Sequence, residues 1–158
     1  MKKILIATTA LAAIGAAATT YAQTSGSLND DTQVLISQIQ TDKRAIMLAS
    51  LGLTDPEMAA FTPLYDEYQA KAKERMLRTS DLLNKFVANY DSMDEKTAKQ
   101  IIKEFFKLRD ERIALLKEYS KKLERKLPAQ KVLRFVQIEN KMNALLDVEA
   151  AAAVPLAK

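Results

Sequence analysis

Between Phe61 and Tyr90 an apolar or weakly polar residue recurs every three or four positions: Phe61, Leu64, Tyr65, Tyr68, Ala72, Met76, Thr79, Leu83, Phe86 and Tyr90. Steps of three and four return a side chain to one side of an α-helix. The pattern runs without a break, with Pro63 early in it as a place where the helix bends or starts late. Thr54-Asp55-Pro56-Glu57 marks its beginning. Thr54 can cap the free N–H groups, Glu57 completes a capping box, and Pro56 sits where a missing N–H costs nothing. A helix from Thr54 to Tyr90 is roughly 50 Å long at ~1.5 Å per residue, and this one element dictates an elongated, helical protein.

The rest of the chain fits around it. A shorter helix is predicted from Thr32 to Ser50, with a loose stripe of Val34, Leu35, Gln38, Ile39, Asp42, Ile46 and Ala49, stopped by Gly52. Asp91-Ser92-Met93-Asp94 breaks the long helix, and either Ser92 with Glu95 or Asp94 with Thr97 caps the next one, Glu95 to Lys126. Pro128 then interrupts and suits the first turn of a last helix, Ala129 to Ala150, followed by a loose tail over 151–158. Three Gly and four Pro in 158 residues, with no alternating strand pattern, leave an all-α fold. The expected architecture is a long antiparallel helical hairpin with a shorter helix at each end, one domain over 32–150.

The Glu95–Lys126 segment carries more apolar surface than a hairpin needs. Ile101, Phe105, Leu108, Leu115 and Tyr119 fall on one line of the helix, and Ile102, Phe106, Ile113, Leu116 and Leu123 on the next. Together they span about half the circumference, wider than the ~100° stripe of an ordinary surface helix. A thin hairpin buries too little to stabilise itself alone, so a homodimer is expected. Arg109 and Arg112 lie within this stripe and Arg75 within that of the preceding helix. Their stems can cover apolar surface while their heads reach water or an acid. The alternative is an apolar surface dotted with guanidinium groups that holds partly unfolded or acidic chains. The candidate binding residues are Arg75, Ile101, Phe105, Phe106, Arg109, Arg112, Leu116 and Tyr119.

No catalytic constellation is present. Without Cys or His there is no thiol or imidazole nucleophile–base pair, and no Gly-rich phosphate loop or Gly-x-Ser-x-Gly elbow occurs. The same absences leave carboxylates and five scattered internal methionines as metal donors, so neither metal nor cofactor is expected. Glu139 stands apart, between Phe135, Val136 and Met142, where an ion pair with Arg134 or Arg112 is expected, with Gln137 and Asn140 joining a polar network. A catalytic acid is the weaker reading of the same residue.

The first 22 residues read as a secretory signal peptide: Lys2 and Lys3, an uncharged stretch from Ile4 to Thr20, and small residues at Thr20 and Ala22 before Gln23. Residues 23–31 are polar and expected to be loose. Without Lys2 and Lys3 the balance is 22 basic to 20 acidic residues, interleaved along the chain. That near-neutrality argues against nucleic acid as a partner. The expected setting is the periplasm, with no stable membrane insertion after cleavage.

Two segments resemble the Spy/CpxP-like family of periplasmic proteins, whose members carry Leu-Thr-x-x-Gln motifs. Leu53-Thr54-Asp55-Pro56-Glu57 stands before the first long helix, and Leu127-Pro128-Ala129-Gln130-Lys131, followed by Phe135, stands after the second. Glu57, Pro128 and Lys131 depart from the motif. Leu53, Thr54 and Leu127 carry over, with a structural role at helix starts. The resemblance spans about residues 45–140 and implies a dimer of bent hairpins forming a shallow cradle. It further implies an ATP-independent chaperone or a regulator of envelope-stress signalling. Some relatives bind zinc through histidines, which this chain lacks. Three non-enzymatic functions therefore compete: a holdase for exported proteins, a regulatory partner of one envelope sensor, and a structural oligomer subunit.

Overall fold

The computed structural model describes residues 27–158, which form four helices: α1 (Ser27–Leu51), α2 (Asp55–Ala88), α3 (Glu95–Glu124) and α4 (Ala129–Ala153). The predicted export segment over 1–22 lies outside the described residues. Among the described residues there is no strand, and the protein is all-helical. The first helix begins at Ser27, ahead of the expected Thr32, and the last runs to Ala153, three residues past the expected end.

The two long helices start where side chains meet the backbone at the helix end. Thr54 is the N-cap of α2, and the Glu57 carboxylate accepts the Thr54 backbone N–H at 2.8 Å. Of the two caps open for α3, Asp94 takes the position and accepts the Thr97 N–H at 2.6 Å. The α2 helix continues through Pro63, which removes one hydrogen bond without ending it. At the end of α1, Gly52 takes a left-handed φ of 59° that a side chain would strain. The exposed carbonyls there are met by α4: Lys131 Nζ donates to Leu51 O at 2.9 Å and to Gly52 O, and Arg134 donates to Ser50 O at 3.3 Å. Lys131 thus serves as a cationic cap for another helix.

The core is an aromatic row on α2 roofed by α4. The Phe61 ring stacks on Tyr65 at 5.0 Å. The Phe135 ring stands edge-on to Tyr65 at 6.2 Å and to Tyr68 at 5.7 Å, and Tyr119 of α3 meets Tyr68 at 5.6 Å. Met47 and Leu51 from α1, Leu123 and Leu127 at the end of α3, and Val132 and Met142 from α4 close around them. The face α1 turns inward differs from the expected stripe. Ile36, Lys43, Met47 and Leu51 are buried, while Val34, Leu35 and Ile46 are exposed. Lys43 and Gln40 bond inward, so hydropathy alone set the phase of this helix wrongly.

Burial is confined to one end. Between Ala72 and Leu108 no residue is fully buried. There α2 and α3 lie side by side, joined by Arg78–Glu111 and by Lys85 donating to Gln100 at 2.7 Å. Closer to the core the pairing continues through Lys71–Glu118 at 3.5 Å and Lys122–Glu67 at 3.8 Å. Exposed pairs of this kind contribute at most about 1 kcal/mol each. Full burial is concentrated where all four helices contribute side chains, and the part of α2 and α3 between Ala72 and Leu108, here the arm, has none.

This gradient predicts unequal costs. Phe135→Ala is expected to lower the unfolding free energy by about 3–5 kcal/mol, and Ile102→Ala on the arm to change it by about 0.5 kcal/mol or less. Urea denaturation followed by circular dichroism measures both, and equal costs would contradict the burial described.

Candidate functional site

Two places concentrate unusual chemistry. The first is the outer side of α3. Ile102, Phe105, Phe106 and Ile113 are 57%, 45%, 59% and 63% exposed, so the side chains that would ordinarily be hidden are open to water. Steps of three, four and seven put Ile102, Phe106, Arg109 and Ile113 on one side of the helix, since each residue turns it by about 100°. The Phe105 and Phe106 rings meet edge-on at 5.5 Å, and the Arg109 guanidinium lies 4.9 Å from the Phe105 centroid. Toward the core, Arg112 grips Asp147 of α4 with both nitrogens at 2.9 Å, and Arg109 reaches the same carboxylate at 3.8 Å. The Arg112 bond holds the Asp147 carboxyl below its ordinary pKa, with Arg109 and Arg75 adding to it.

The predicted binding residues divide accordingly. Phe105, Phe106 and Arg109 are exposed, whereas Arg75, Ile101, Arg112 and Leu116 are half-buried. Burial lowers the Arg75 guanidinium pKa, and the positive charge of Arg112 lowers it further. Tyr119 does not belong to the surface: it packs under Tyr68 in the core, and its hydroxyl donates to Glu67 at 3.3 Å. It sits on the line of α3 that turns inward with Leu108 and Leu123. Leu127 is buried in the core and Leu53 packs against it. Sequence reasoning passed over α4, where Leu145 and Val148 are exposed on either side of Asp147. A wheel drawn for Ala129–Ala153 finds them, because they fall away from the line of Val132, Phe135, Glu139 and Met142.

The second place is internal. Glu139 is 0% exposed, and its expected partners are elsewhere: Arg134 caps α1 and Arg112 holds Asp147. Arg134 lies five positions before Glu139, which puts it on another side of α4. Lys43 of α1 answers the charge instead, donating to Oε2 at 2.9 Å. Tyr68 donates to the same oxygen at 2.8 Å, and Tyr65 to Oε1 at 3.4 Å. Gln69 Nε2 donates to the Tyr65 hydroxyl at 2.7 Å, and Gln40 Nε2 donates to Gln69 O at 2.6 Å. Gln137 and Asn140, expected in this network, are exposed. Burial first, and then the Glu139 charge and hydrogen bond, push the pKa values of both tyrosines well above their ordinary value.

No family model, curated protein or solved structure matches the chain. Among the described residues no helix is long and apolar enough to cross a membrane.

The tyrosines give a signed pH dependence. Unfolded phenols release their protons near the ordinary value of 10.0, while folded Tyr65 and Tyr68 keep theirs. Their contribution is therefore complete below about pH 10 and declines above it, by up to about 1.4 kcal/mol per pH unit for each. The thermal midpoint is expected to fall steeply between about pH 10 and 11.5. Tyr68→Phe makes the fall shallower, and an unchanged slope in that variant would contradict the assignment.

Proposed function

We propose that the protein binds other polypeptides in the periplasm after export, as an ATP-independent, chaperone-like holder of unfolded envelope proteins. The observation that carries this reading is the open apolar side of α3, where Ile102, Phe105, Phe106 and Ile113 stand exposed around Arg109. Contiguous exposed apolar surface on a protein marks a place where something docks. Covering it gains about 25 cal/mol per Å² of apolar area removed from water. Arg109 adds a charge that can meet acidic segments, and its exposed position makes those contacts weak and readily exchanged.

The architecture suits the same role. In this reading α2 and α3 form a long antiparallel hairpin, with α1 and α4 packed at its base. Its bare arm is the part that reaches toward a partner. The arm lacks any fully buried residue, which favours a homodimer in which two arms share surface and frame a shallow cradle. Such an arrangement, with helix starts at Thr54 and after Leu127, is similar to that of the Spy/CpxP-like family.

The test is suppression of aggregation. At equimolar ratio the protein is expected to reduce light scattering from at least two unrelated unfolding proteins. Phe106→Ser with Ile113→Ser is expected to remove at least half of that effect while changing stability by about 0.5 kcal/mol or less, since both positions are exposed. If the unsubstituted protein leaves aggregation of every client unchanged, the reading is wrong.

A further inference from the structure

The Lys43–Glu139 pair is buried, its side chains 7% and 0% exposed. A fully buried ion pair gains little over apolar side chains of the same volume, because removing two charges from water costs most of what their attraction returns. Most of the groups around the carboxylate come from outside α1, with Tyr65, Tyr68 and Gln69 from α2 and Phe135 and Glu139 from α4, and its charge is answered by Lys43. Together they make a socket with one negative charge, two phenolic donors and aromatic walls. Into it α1 sends a single charged side chain.

Lys43 does not complete the socket. Its ammonium carries three N–H donors, and one of them is matched, to Glu139 Oε2 at 2.9 Å. Gln69 Oε1, part of the side chain that bonds Tyr65, has no donor among the described residues. An acceptor left dry in this way costs about 1–3 kcal/mol. Over residues 31–46 the helix that delivers Lys43 buries little apolar surface. Between residues 31 and 46, Ile36 is the only apolar side chain that is buried. Its ties there include polar ones at the rim: Gln40 to Gln69 O, Lys73 to Ser37 Oγ at 3.1 Å, and Arg44 to Asp66. Met47 and Leu51 anchor the far end. A segment with few apolar contacts opens at lower cost than the core it covers.

We propose that this socket is a binding site for the primary ammonium of a lysine side chain from a bound polypeptide, and that α1 keeps it closed by seating Lys43 there. The proposal rests on the reading that the protein binds polypeptides, and it adds a chemical preference and an internal competitor. A trans lysine would replace Lys43 in the charge-assisted bond to Glu139. A carboxylate in the same place would face Glu139 with nothing to offset the repulsion.

The experiment uses the full chain carrying Lys43→Ala and a fluorescein-labelled peptide of Ala and Leu with one central lysine, its only amine. Fluorescence anisotropy is expected to show at least tenfold tighter binding to Lys43→Ala than to the unsubstituted protein. Adding Glu139→Gln should abolish the gain, and a peptide with norleucine in place of lysine should show none. Equal affinity for the two proteins, or a gain shared by the norleucine peptide, overturns the proposal. Aggregation suppression by the unsubstituted protein is read separately, so loss of the socket and loss of polypeptide binding are told apart. Should Lys43→Ala unfold, n-propylamine, which replaces the deleted atoms, is expected to restore its helical circular dichroism where n-propanol does not. Failure of n-propylamine to do so also overturns the proposal.

Discussion

A carboxylate held wholly out of water must be met by donors, and Glu139 is met by three helices' worth of structure. Tyr65 and Tyr68 of α2 point their hydroxyls into it, Lys43 of α1 neutralises it, and Phe135 on its own helix packs the rings around it. Leaving such a charge unpaired costs about 3–5 kcal/mol, a large part of what a domain of this size has to spare. The relative placement of α1, α2 and α4 is therefore set by a polar requirement as much as by the apolar contacts surrounding it. The apolar part, which includes Phe61, Phe135 and Met142, supplies the driving force.

From that nucleus the structure thins in one direction. Four helices meet at the base and two continue beyond it, with half-buried Met76, Phe86, Tyr90 and Ile101 as the best contacts available. Two helices can hide only one seam, and the α3 stripe is wider than one seam. Part of it is used at the base, where Leu108, Tyr119 and Leu123 are buried, and the remainder stays open where no further helix arrives. The exposed phenylalanines are thus a consequence of topology as well as composition. Ile102, Phe105 and Phe106 lie on the stretch without a fully buried residue, and a segment with few buried contacts opens at lower cost than the core.

Much of this was legible in the residues. The 3–4 period from Phe61 to Tyr90, the Thr54–Glu57 box and Pro128 located the helices, because those signals are local and obey backbone geometry alone. The surplus width of the α3 stripe was readable for the same reason. What was misread depended on distant partners. The inward face of α1 contains Lys43 and Gln40, whose burial makes sense only when Glu139 and Gln69, far along the chain, are brought opposite. Tyr119 fell on a stripe broad enough to contain both an inward and an outward line, and only the position of α2 separates them. The partner of Glu139 could not be chosen by nearness in sequence, since the nearest arginine faces another side of its helix.

The capping of α1 by Lys131 and Arg134 has a consequence for how the chain tolerates change. These two residues share α4 with Phe135 and Glu139, so one short stretch both stoppers the end of a neighbouring helix and furnishes the keystone of the interior. A single residue inserted between Leu127 and Lys131 would rotate the whole helix by about 100° relative to its entry point. Stopper and keystone would then fall out of register together. Length at that junction is therefore a stricter requirement than residue identity, and homologous chains that differ freely in the side chains there are expected to preserve the spacing.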